Sequence, residues 1–279
     1  MAHIEQQAYC RYVKNKHPEF FTNKKILDIG SLDINGNNKI LFENCDYTGI
    51  DVAEGPNVDI VSVGHLYDAP DEYYDTIIST EVFEHDMFYE KTIKNIIRML
   101  KPGGAFIFTC ASTGRPEHGT IKSDGSSCAP LLIKISEEWA NYYKNLTCQD
   151  FSSIETFQKN FPTGTCEFFS INPYNHDLYF FGIKGNIDEK RKLKPFSSFF
   201  KKLGNNYVNF TPTPGPRVEI TGTTPLIYNV LFIDMNNSTI IYSSKIPTNN
   251  WVSLDSNITD NIKIFLESDD GQVLEFTYD

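Results

Sequence analysis

KKILDIGSLDINGN, residues 24–37, joins a short apolar run to a D-x-G turn. The run 26–29 is typical of a buried parallel strand, and Gly30 lets the backbone approach a ligand closely because it has no Cβ. A dinucleotide fingerprint would continue with further glycines, but Leu32 and Ile34 stand there and the next glycine is Gly36. The stretch therefore predicts a strand followed by a longer, variant loop built around Gly30 and Gly36.

The segments that follow predict an α/β domain. Apolar runs of strand length occupy 47–52, 58–63, 73–80 and 105–111, and helices are predicted over 3–16, 37–43, 88–100 and 136–144. Strands that alternate with helices indicate a mainly parallel sheet with crossover helices. The aromatic segment 167–185 alternates around turn residues, which predicts two antiparallel strands at the edge of this sheet.

The composition changes near residue 186. The charged range 187–216 ends in TPTPGP and predicts a linker. Residues 217–279 hold short β-branched and aromatic segments separated by turn sequences, which predicts a small all-β, sandwich-like accessory domain. The first domain therefore covers 1–186. We expect the accessory domain to bind, to space domains or to form a homodimer contact, with Trp251 more typical of its core than of a carbohydrate platform.

The bulk composition excludes several classes of protein. The formal net charge of −11 among 279 residues disfavours a nucleic-acid partner, which requires a basic face. The six cysteines form no C-x-x-C pair, as expected in a reducing compartment. The chain shows no apolar leader and no apolar run near the ~20 residues of a membrane span, so we expect a soluble, cytoplasmic protein without a membrane partner.

Asp51 favours one cofactor over another. It ends the second strand roughly 20 residues after Gly30, the spacing at which an acidic side chain holds ribose hydroxyls. The missing glycines disfavour the pyrophosphate of NAD, whereas S-adenosylmethionine carries no phosphate and does not need them. An NAD-dependent oxidoreductase and a non-catalytic module that binds a nucleoside cofactor or a partner remain the alternatives.

Four segments together resemble a known family. LDIGS (27–31), YTGIDV (47–52), YDTIISTEVFEHD (74–86) and LKPGGAFIFT (100–109) occur in the order and spacing of class I S-adenosylmethionine-dependent methyltransferases, most closely the type 11 branch. The resemblance covers about residues 20–185. It implies a Rossmann-like, seven-stranded, mostly parallel sheet with flanking helices and an antiparallel last strand.

The resemblance also implies which residues bind the cofactor. The first loop would contact the methionine part, the end of the second strand the ribose, the segment after the third strand the adenine, and the end of the fourth strand the cofactor and the acceptor entry. In that order the residues are Asp28, Gly30 and Ser31; Asp51 and Val52; Gly64, His65 and Leu66; Thr80 and Glu81. The adenine segment GHLYD departs from the family because it lacks the usual D-A dipeptide.

The candidate catalytic residues follow from what methyl transfer requires. Methyl transfer requires alignment of donor and acceptor, and a hydroxyl acceptor also requires a base, usually histidine. His85 and His118 follow the fourth and fifth strands and are the candidate bases. We expect O-methylation of a small molecule or of a sugar or glycan hydroxyl.

Three polar residues are candidates for contact with this acceptor: Arg115, Glu117 and His176. No metal is expected, because two carboxylates spaced like Glu84 and Asp86 are common by chance.

Overall fold

The computed structural model describes residues 4–123, 129–162, 166–171, 176–185, 200–203, 206–211, 217–234, 239–253 and 262–278. The chain divides into two compact units, Met1–Pro195 and Phe196–Asp279. Among the helices of the described ranges, none combines the length and apolar character needed to cross a membrane.

The first unit is built on one sheet of seven strands. The strands are β1 (Lys25–Ile29), β2 (Asp46–Asp51), β3 (Ile60–Val61), β4 (Tyr74–Thr80), β5 (Leu100–Ala111), β6 (Cys166–Ile171) and β7 (Asp177–Ile183). Their order is β3-β2-β1-β4-β5-β7-β6. The first five pair in parallel, whereas β7 runs antiparallel to both β5 and β6. The predicted fold class is thereby confirmed.

Within the residues that the structure describes, six helices accompany this sheet. They are α1 (Ile4–Lys16), α2 (Tyr89–Met99), α3 (Ala129–Leu132), α4 (Glu137–Ala140), α5 (Cys148–Ser152) and α6 (Glu155–Asn160), with 3-10 turns at Pro18–Phe20 and Lys39–Leu41. The apolar side chains of α2 recur at three and four residues, so Ile93, Ile96 and Ile97 lie on one buried face. They share a core with Phe106 and Phe108 of β5, which fixes α2 against the sheet.

The order of the sheet places several strand ends side by side. The chain moves from β1 outward through β2 to β3, then crosses to the other side of β1 to form β4 and β5. Ile29 is level with Ile50 of β2 and with Ser79 of β4, so the three strands end at the same height. The carboxyl ends of strands at such a reversal point are where α/β proteins bind ligands.

Three elements have bounds that differ from the predicted ones. The strand predicted at 58–63 is reduced to Ile60–Val61, an exposed edge pair. β5 starts at Leu100 instead of 105, because 101–104 bulge out between two pairs that β5 makes with β4. The helix predicted at 136–144 ends at Ala140, since the backbone beyond it bonds to other elements: Lys144 N–H donates to Glu84 O, and Leu146 N–H to Ala111 O.

The second unit is an all-β module. Its strands are β8 (Phe200–Leu203), β9 (Asn206–Thr211), β10 (Arg217–Gly222), β11 (Ile227–Asp234), β12 (Thr239–Pro247), β13 (Asn250–Ser253), β14 (Ile262–Ser268) and β15 (Val273–Tyr278). They form two four-stranded antiparallel sheets, β13-β10-β9-β8 and β12-β11-β14-β15. Asn206 Nδ2 of one sheet donates to Tyr228 Oη of the other at 2.6 Å, so the sheets are in contact.

Two expectations about this module are wrong. The range 187–216 is not a linker throughout, because β8 and β9 lie in it and β9 pairs with β10 from Asn206 to Thr211. The lysine-rich stretch that ends at Lys202 and the prolines after Thr211 favoured a linker, but β9 lies between them and Val208 is buried. Trp251 is not a core residue, since half of it is exposed.

One carboxyl group lies inside the parallel sheet. Asp28 of β1 is almost fully buried and accepts a hydrogen bond from the Tyr47 hydroxyl of β2. Burial raises the pKa of Asp28 from 3.8 to about 7, although the Tyr47 hydroxyl opposes this shift. The folded chain therefore holds a proton here that the unfolded chain releases at lower pH.

This raised pKa predicts the pH dependence of stability. Because the folded state binds more protons between the two pKa values, the free energy of unfolding of the ligand-free protein should fall as pH rises from about 4 to about 7. Asp28→Asn should remove about 4 kcal/mol of this decline, at 1.36 kcal/mol per pKa unit. Urea unfolding across this window measures it. Asp68→Asn, at an almost fully exposed carboxylate, is the control, and an unchanged slope in Asp28→Asn would contradict the assignment.

The two units also predict the effect of truncation. Each has its own buried residues, so a chain ending at Pro195 should fold and bind S-adenosylhomocysteine within about three-fold of the full chain. Circular dichroism and calorimetric titration measure this. Loss of folding or binding would mean that the first unit depends on the second.

Candidate functional site

A cleft opens at the carboxyl ends of β1, β2 and β4. Its volume is about 990 Å³, including the solvent-open mouth. Eight of the ten residues predicted to bind a cofactor line it: Asp28, Gly30, Ser31, Asp51, Val52, Gly64, Thr80 and Glu81. Residues far apart in the sequence therefore meet at one edge of the sheet.

The backbone conformation at position 30 and the packing around it both require a glycine. Its φ is +81°, and a Cβ at this position would lie 2.0 Å from Cγ2 of Val82. Any larger residue would therefore displace the segment that follows β4. The D-x-G turn brings the first loop directly against the end of β4.

Polar contacts hold the loop that follows Gly30. Asp33 Oδ1 accepts from Gly36 N–H at 2.7 Å and closes a turn. Asn38 Nδ2 donates to Thr80 Oγ1 at 3.1 Å and ties the loop to β4. Asn37 and Asn38 line the cleft, as does Ile34.

Asp51 binds this same loop through its carboxylate. Oδ2 accepts from Leu32 N–H at 3.0 Å and Oδ1 from Val52 N–H at 2.7 Å. Burial raises its pKa, and hydrogen bonds from the backbone, with Leu32 first, oppose the shift. Each carboxylate oxygen has a second lone pair, so both oxygens can accept one more hydrogen bond from a ligand.

Two further polar atoms in the cleft wall lack a hydrogen-bond partner among the described residues. They are Asp28 Oδ1 and Ser31 Oγ, both buried. Buried polar atoms are normally paired, and each unpaired one carries a desolvation cost. Both atoms are therefore available to a polar ligand.

The opposite wall of the cleft is apolar and includes part of the segment predicted to contact adenine. Leu132 and Trp139 pack with Val52 and Val63, and all four line the cleft. Leu66 lies outside the lining, and 70% of it is exposed. His65 is also outside and stacks on Trp139. The lining segment is thus 62–64, because the chain turns away after Gly64.

Trp139 and Leu132 were not among the predicted site residues. They come from α3 and α4, far from the strand ends in sequence. Ser136 caps α4 by accepting from Trp139 N–H at 3.0 Å, and Trp139 Nε1 donates to His85 O at 2.7 Å. A serine followed by two glutamates is a recognisable helix start, but nothing in the sequence indicates which element such a helix covers.

The two candidate bases lie next to each other. The ring centroids of His85 and His118 are 5.2 Å apart, and Tyr143 lies within 5.5 Å of both rings. His85 lines the cleft, whereas His118 is outside its lining. Burial lowers the pKa of His118, so its ring is neutral near pH 7.

The tautomer of His118 follows from one contact. Its Nδ1 lies 3.1 Å from the carbonyl oxygen of Pro116. A carbonyl oxygen only accepts, so Nδ1 carries the proton and Nε2 keeps a lone pair. His118 therefore presents a basic nitrogen to its surroundings.

Glu84 is an unusual neighbour of these histidines. It is fully buried, and neither carboxylate oxygen has a hydrogen-bond partner among the described residues. Burial, followed by the charge of Glu81, raises its pKa. The ligating atoms of Glu84, His85 and His118 all lie within 4.8 Å of one another. Asp86 instead accepts from Phe88 N–H and the Thr92 hydroxyl at the start of α2.

The three residues predicted to contact an acceptor do not line the cleft. Arg115 Nη1 lies 3.7 Å from Oδ1 of Asp177, a carboxylate with no exposed surface. Glu117 is exposed and accepts from Thr120 Oγ1 at 2.6 Å within its own loop. The His176 ring lies against Gly114, where an added Cβ would come within 2.7 Å of Nδ1.

Comparisons with solved structures return methyltransferases at low similarity. One is a Burkholderia thailandensis 1,6-didemethyltoxoflavin-N1-methyltransferase with bound 1,6-didemethyltoxoflavin and S-adenosylhomocysteine, at 14% identity, 65% of this chain, 80% of that chain and a TM-score of 0.46. Another is a Haemonchus contortus phosphoethanolamine N-methyltransferase, at 20% identity, 56% and 38% coverage, and a TM-score of 0.37. A third, from Aquifex aeolicus, is an S-adenosylmethionine-dependent methyltransferase, at 14%, 61%, 88% and 0.39.

The match to a family model shows to which family the chain belongs. A search of curated proteins finds no match to the chain. The methyltransferase domain model matches residues 1–180, more than half of the chain, and includes every strand of the cleft. The chain therefore belongs to the methyltransferase domain family and is a class I S-adenosylmethionine-dependent methyltransferase.

Proposed function

We propose that the cleft holds S-adenosylmethionine and that the protein methylates a hydroxyl oxygen of a small molecule beside His85 and His118. The observation that carries this proposal is the continuity of the cleft. Its lining includes both Asp51 and His85, and the ring centroid of His118 lies 5.2 Å from that of His85. A ribose-binding acid and a pair of imidazoles thus belong to one site.

The proposed contacts of the cofactor follow from the unpaired and apolar groups of the lining. Asp51 would accept hydrogen bonds from the two ribose hydroxyls, and Asp28 and Ser31 would pair with the polar groups of the methionine part. Val52, Val63, Leu132 and Trp139 would enclose the adenine ring. When bound, the cofactor supplies a methyl group on a sulfonium sulfur, whose carbon–sulfur bond breaks as the bond to the acceptor oxygen forms, giving S-adenosylhomocysteine.

The proposed base is His118. Its Nε2 lone pair is available, and its lowered pKa keeps the ring neutral near pH 7. It would accept the proton of the acceptor hydroxyl, while His85 and Tyr143 position its ring. The side chains that line the cleft around His85 would exclude water from the reacting atoms.

The proposed methyl acceptor is a hydroxyl compound. The oxygen acceptor is supported by the neutral base, and sugar and glycan hydroxyls are the first compounds to test. A cytoplasmic location and a homodimer contact through the second unit stay predictions. Turnover with amines alone would overturn the oxygen assignment, and cofactor binding without turnover on any acceptor would favour a non-catalytic module.

Asp51→Asn tests the cofactor contacts. The substitution removes the charge and one acceptor, so the affinity for S-adenosylhomocysteine should fall about 10- to 100-fold, equivalent to ~1.5–3 kcal/mol. Calorimetric titration measures the affinity. Asp46→Asn is the matched control, because Asp46 lies at the other end of β2 in an exposed ion pair with Lys25. NAD should give no binding heat, and equal affinities in both variants would remove Asp51 from the site.

His118→Asn tests the base once an acceptor is found. Only the neutral ring accepts a proton, so wild-type kcat/KM should fall as pH drops through the lowered pKa, below 6.5. In His118→Asn this acid limb should disappear and kcat should fall about 100-fold or more. Binding of S-adenosylhomocysteine should be unchanged. His17→Asn, at a histidine stacked on Phe181, is the control, and a normal pH profile in His118→Asn would show that another group is the base.

A further inference from the structure

One short stretch of chain contacts both the cofactor cleft and the two candidate histidines. Residues 139–146, which we call the bridging segment, begin in α4 and end at Leu146. Trp139, at its start, lines the cleft, and the ring of Tyr143 lies beside those of His85 and His118. The segment can therefore carry a change at one end of the site to the other end.

We propose that Trp139 is a positioning residue, which aligns the pair of histidines when the cofactor cleft is filled. The indole is held against the adenine ring, and the bridging segment carries this constraint to His85 and His118. The inference rests on the proposed function, because it requires a cofactor in the cleft. It keeps His118 as the base.

The bridging segment holds the chain at His85 through two consecutive carbonyl groups. The indole N–H of Trp139 donates to His85 O at 2.7 Å, and the backbone N–H of Lys144 donates to Glu84 O at 2.9 Å. The indole nitrogen has one hydrogen to donate and accepts none. A rotation of the Trp139 ring would therefore break its bond to His85 O or move His85 with it.

The same segment holds the loop that carries His118. Asn145 Nδ2 donates to Arg115 O at 2.8 Å, and Tyr143 Oη donates to Pro116 O at 3.2 Å. His118 Nδ1 donates to this same Pro116 carbonyl at 3.1 Å. The position of Pro116 O therefore sets the orientation of the His118 ring, and the bridging segment is bonded to that oxygen.

Trp139 is packed closely enough to transmit a contact. It is 6% exposed, and its ring centroid lies 6.0 Å from that of His65 and 5.5 Å from that of Phe88. Aromatic rings attract one another in offset or edge-to-face arrangements, so an adenine ring in the cleft limits the motion of the indole. In a close-packed interior such a constraint passes to the neighbouring groups.

This link makes the binding of cofactor and acceptor cooperative. A base is effective only when it is aligned with the hydroxyl whose proton it accepts. Alignment through Trp139 gives a competent pair of histidines only when the methyl donor is in place. By reciprocity, an acceptor raises the affinity for the cofactor by the same factor as the cofactor raises the affinity for the acceptor.

Nuclear magnetic resonance of the histidine ring protons tests the link in the full chain, with S-adenosylhomocysteine as the probe. His118 is outside the cleft lining, so a movement of its signal on titration is transmitted by the protein. The signal is identified by its absence in His118→Asn. In the wild type it should move as S-adenosylhomocysteine saturates the cleft.

Two variants interrupt the bridging segment at different points. Trp139→Phe keeps an aromatic wall but removes the indole N–H, so it should bind S-adenosylhomocysteine within about 10-fold of the wild type and largely lose the movement of the His118 signal. Tyr143→Phe removes the bond to Pro116 O from a residue outside the lining, so it should keep the affinity and reduce the movement. Trp251→Phe, at the half-exposed tryptophan of the second unit, is the control and should retain both.

The outcomes separate this inference from the proposed function. A full movement of the His118 signal in Trp139→Phe overturns the inference, as does a wild-type signal that stays in place while S-adenosylhomocysteine binds, and the proposed function then stands. If Trp139→Phe does not bind the probe, Tyr143→Phe decides, and a full movement in that variant overturns the inference. Absence of S-adenosylhomocysteine binding to the wild type overturns the proposed function and the inference with it.

Kinetics add a second test once an acceptor is found. Trp139→Phe should lower kcat about 3- to 10-fold, as expected for the loss of one hydrogen bond. If Trp139 acts through the histidines, the same substitution should have little effect on kcat in the His118→Asn background, because residues that act as a unit are not additive. Equal losses in the two backgrounds would show that Trp139 does not act through His118 and would overturn the inference.

Discussion

The parallel pairing of β1 with β2 on one side and β4 on the other determines where each functional side chain of the first unit lies. Ile29 is level with Ile50 and Ser79, so Gly30, Asp51 and Glu81 leave the sheet at one edge. A shift of one residue in either pairing would turn alternate side chains to the other face. The cleft is therefore a consequence of strand register, and its loops add contacts to a position already set.

The same edge concentrates buried acidic groups, which is costly for stability. Asp28, Asp51 and Glu84 all have raised pKa values, mainly because burial disfavours their charged forms. A structure selected for stability alone would avoid this arrangement. Preorganised polar groups in a water-poor site are, however, what binding and charge stabilisation require. The distribution of buried charge thus points to the cleft as the functional part of the molecule.

The sequence correctly predicted the features that depend on residues close together in the chain. The apolar period of α2, the run of β1 and the acid at the end of β2 each depend on residues within one element, and each was found. Leu66 lies outside the cleft lining, because the direction of the chain after Gly64 depends on tertiary packing. Trp139 was missed because its partner, His85 O, lies on a distant segment. The neighbourhood of Glu84 and His118 likewise depends on the adjacency of β4 and β5, which no spacing along the chain reveals.

The first loop shows why a missing motif residue need not mean a missing function. In a glycine-rich loop the side chains are absent so that the backbone can act. Here Leu32 keeps its backbone role, since its N–H donates to Asp51 Oδ2, while its side chain packs where Gly55 leaves room for it. The turn closed by Asp33 and Gly36 and the hydrogen bond from Asn38 to Thr80 hold the loop in place. The loop thus differs in side chains but retains the backbone contact that orients the acid at the end of β2.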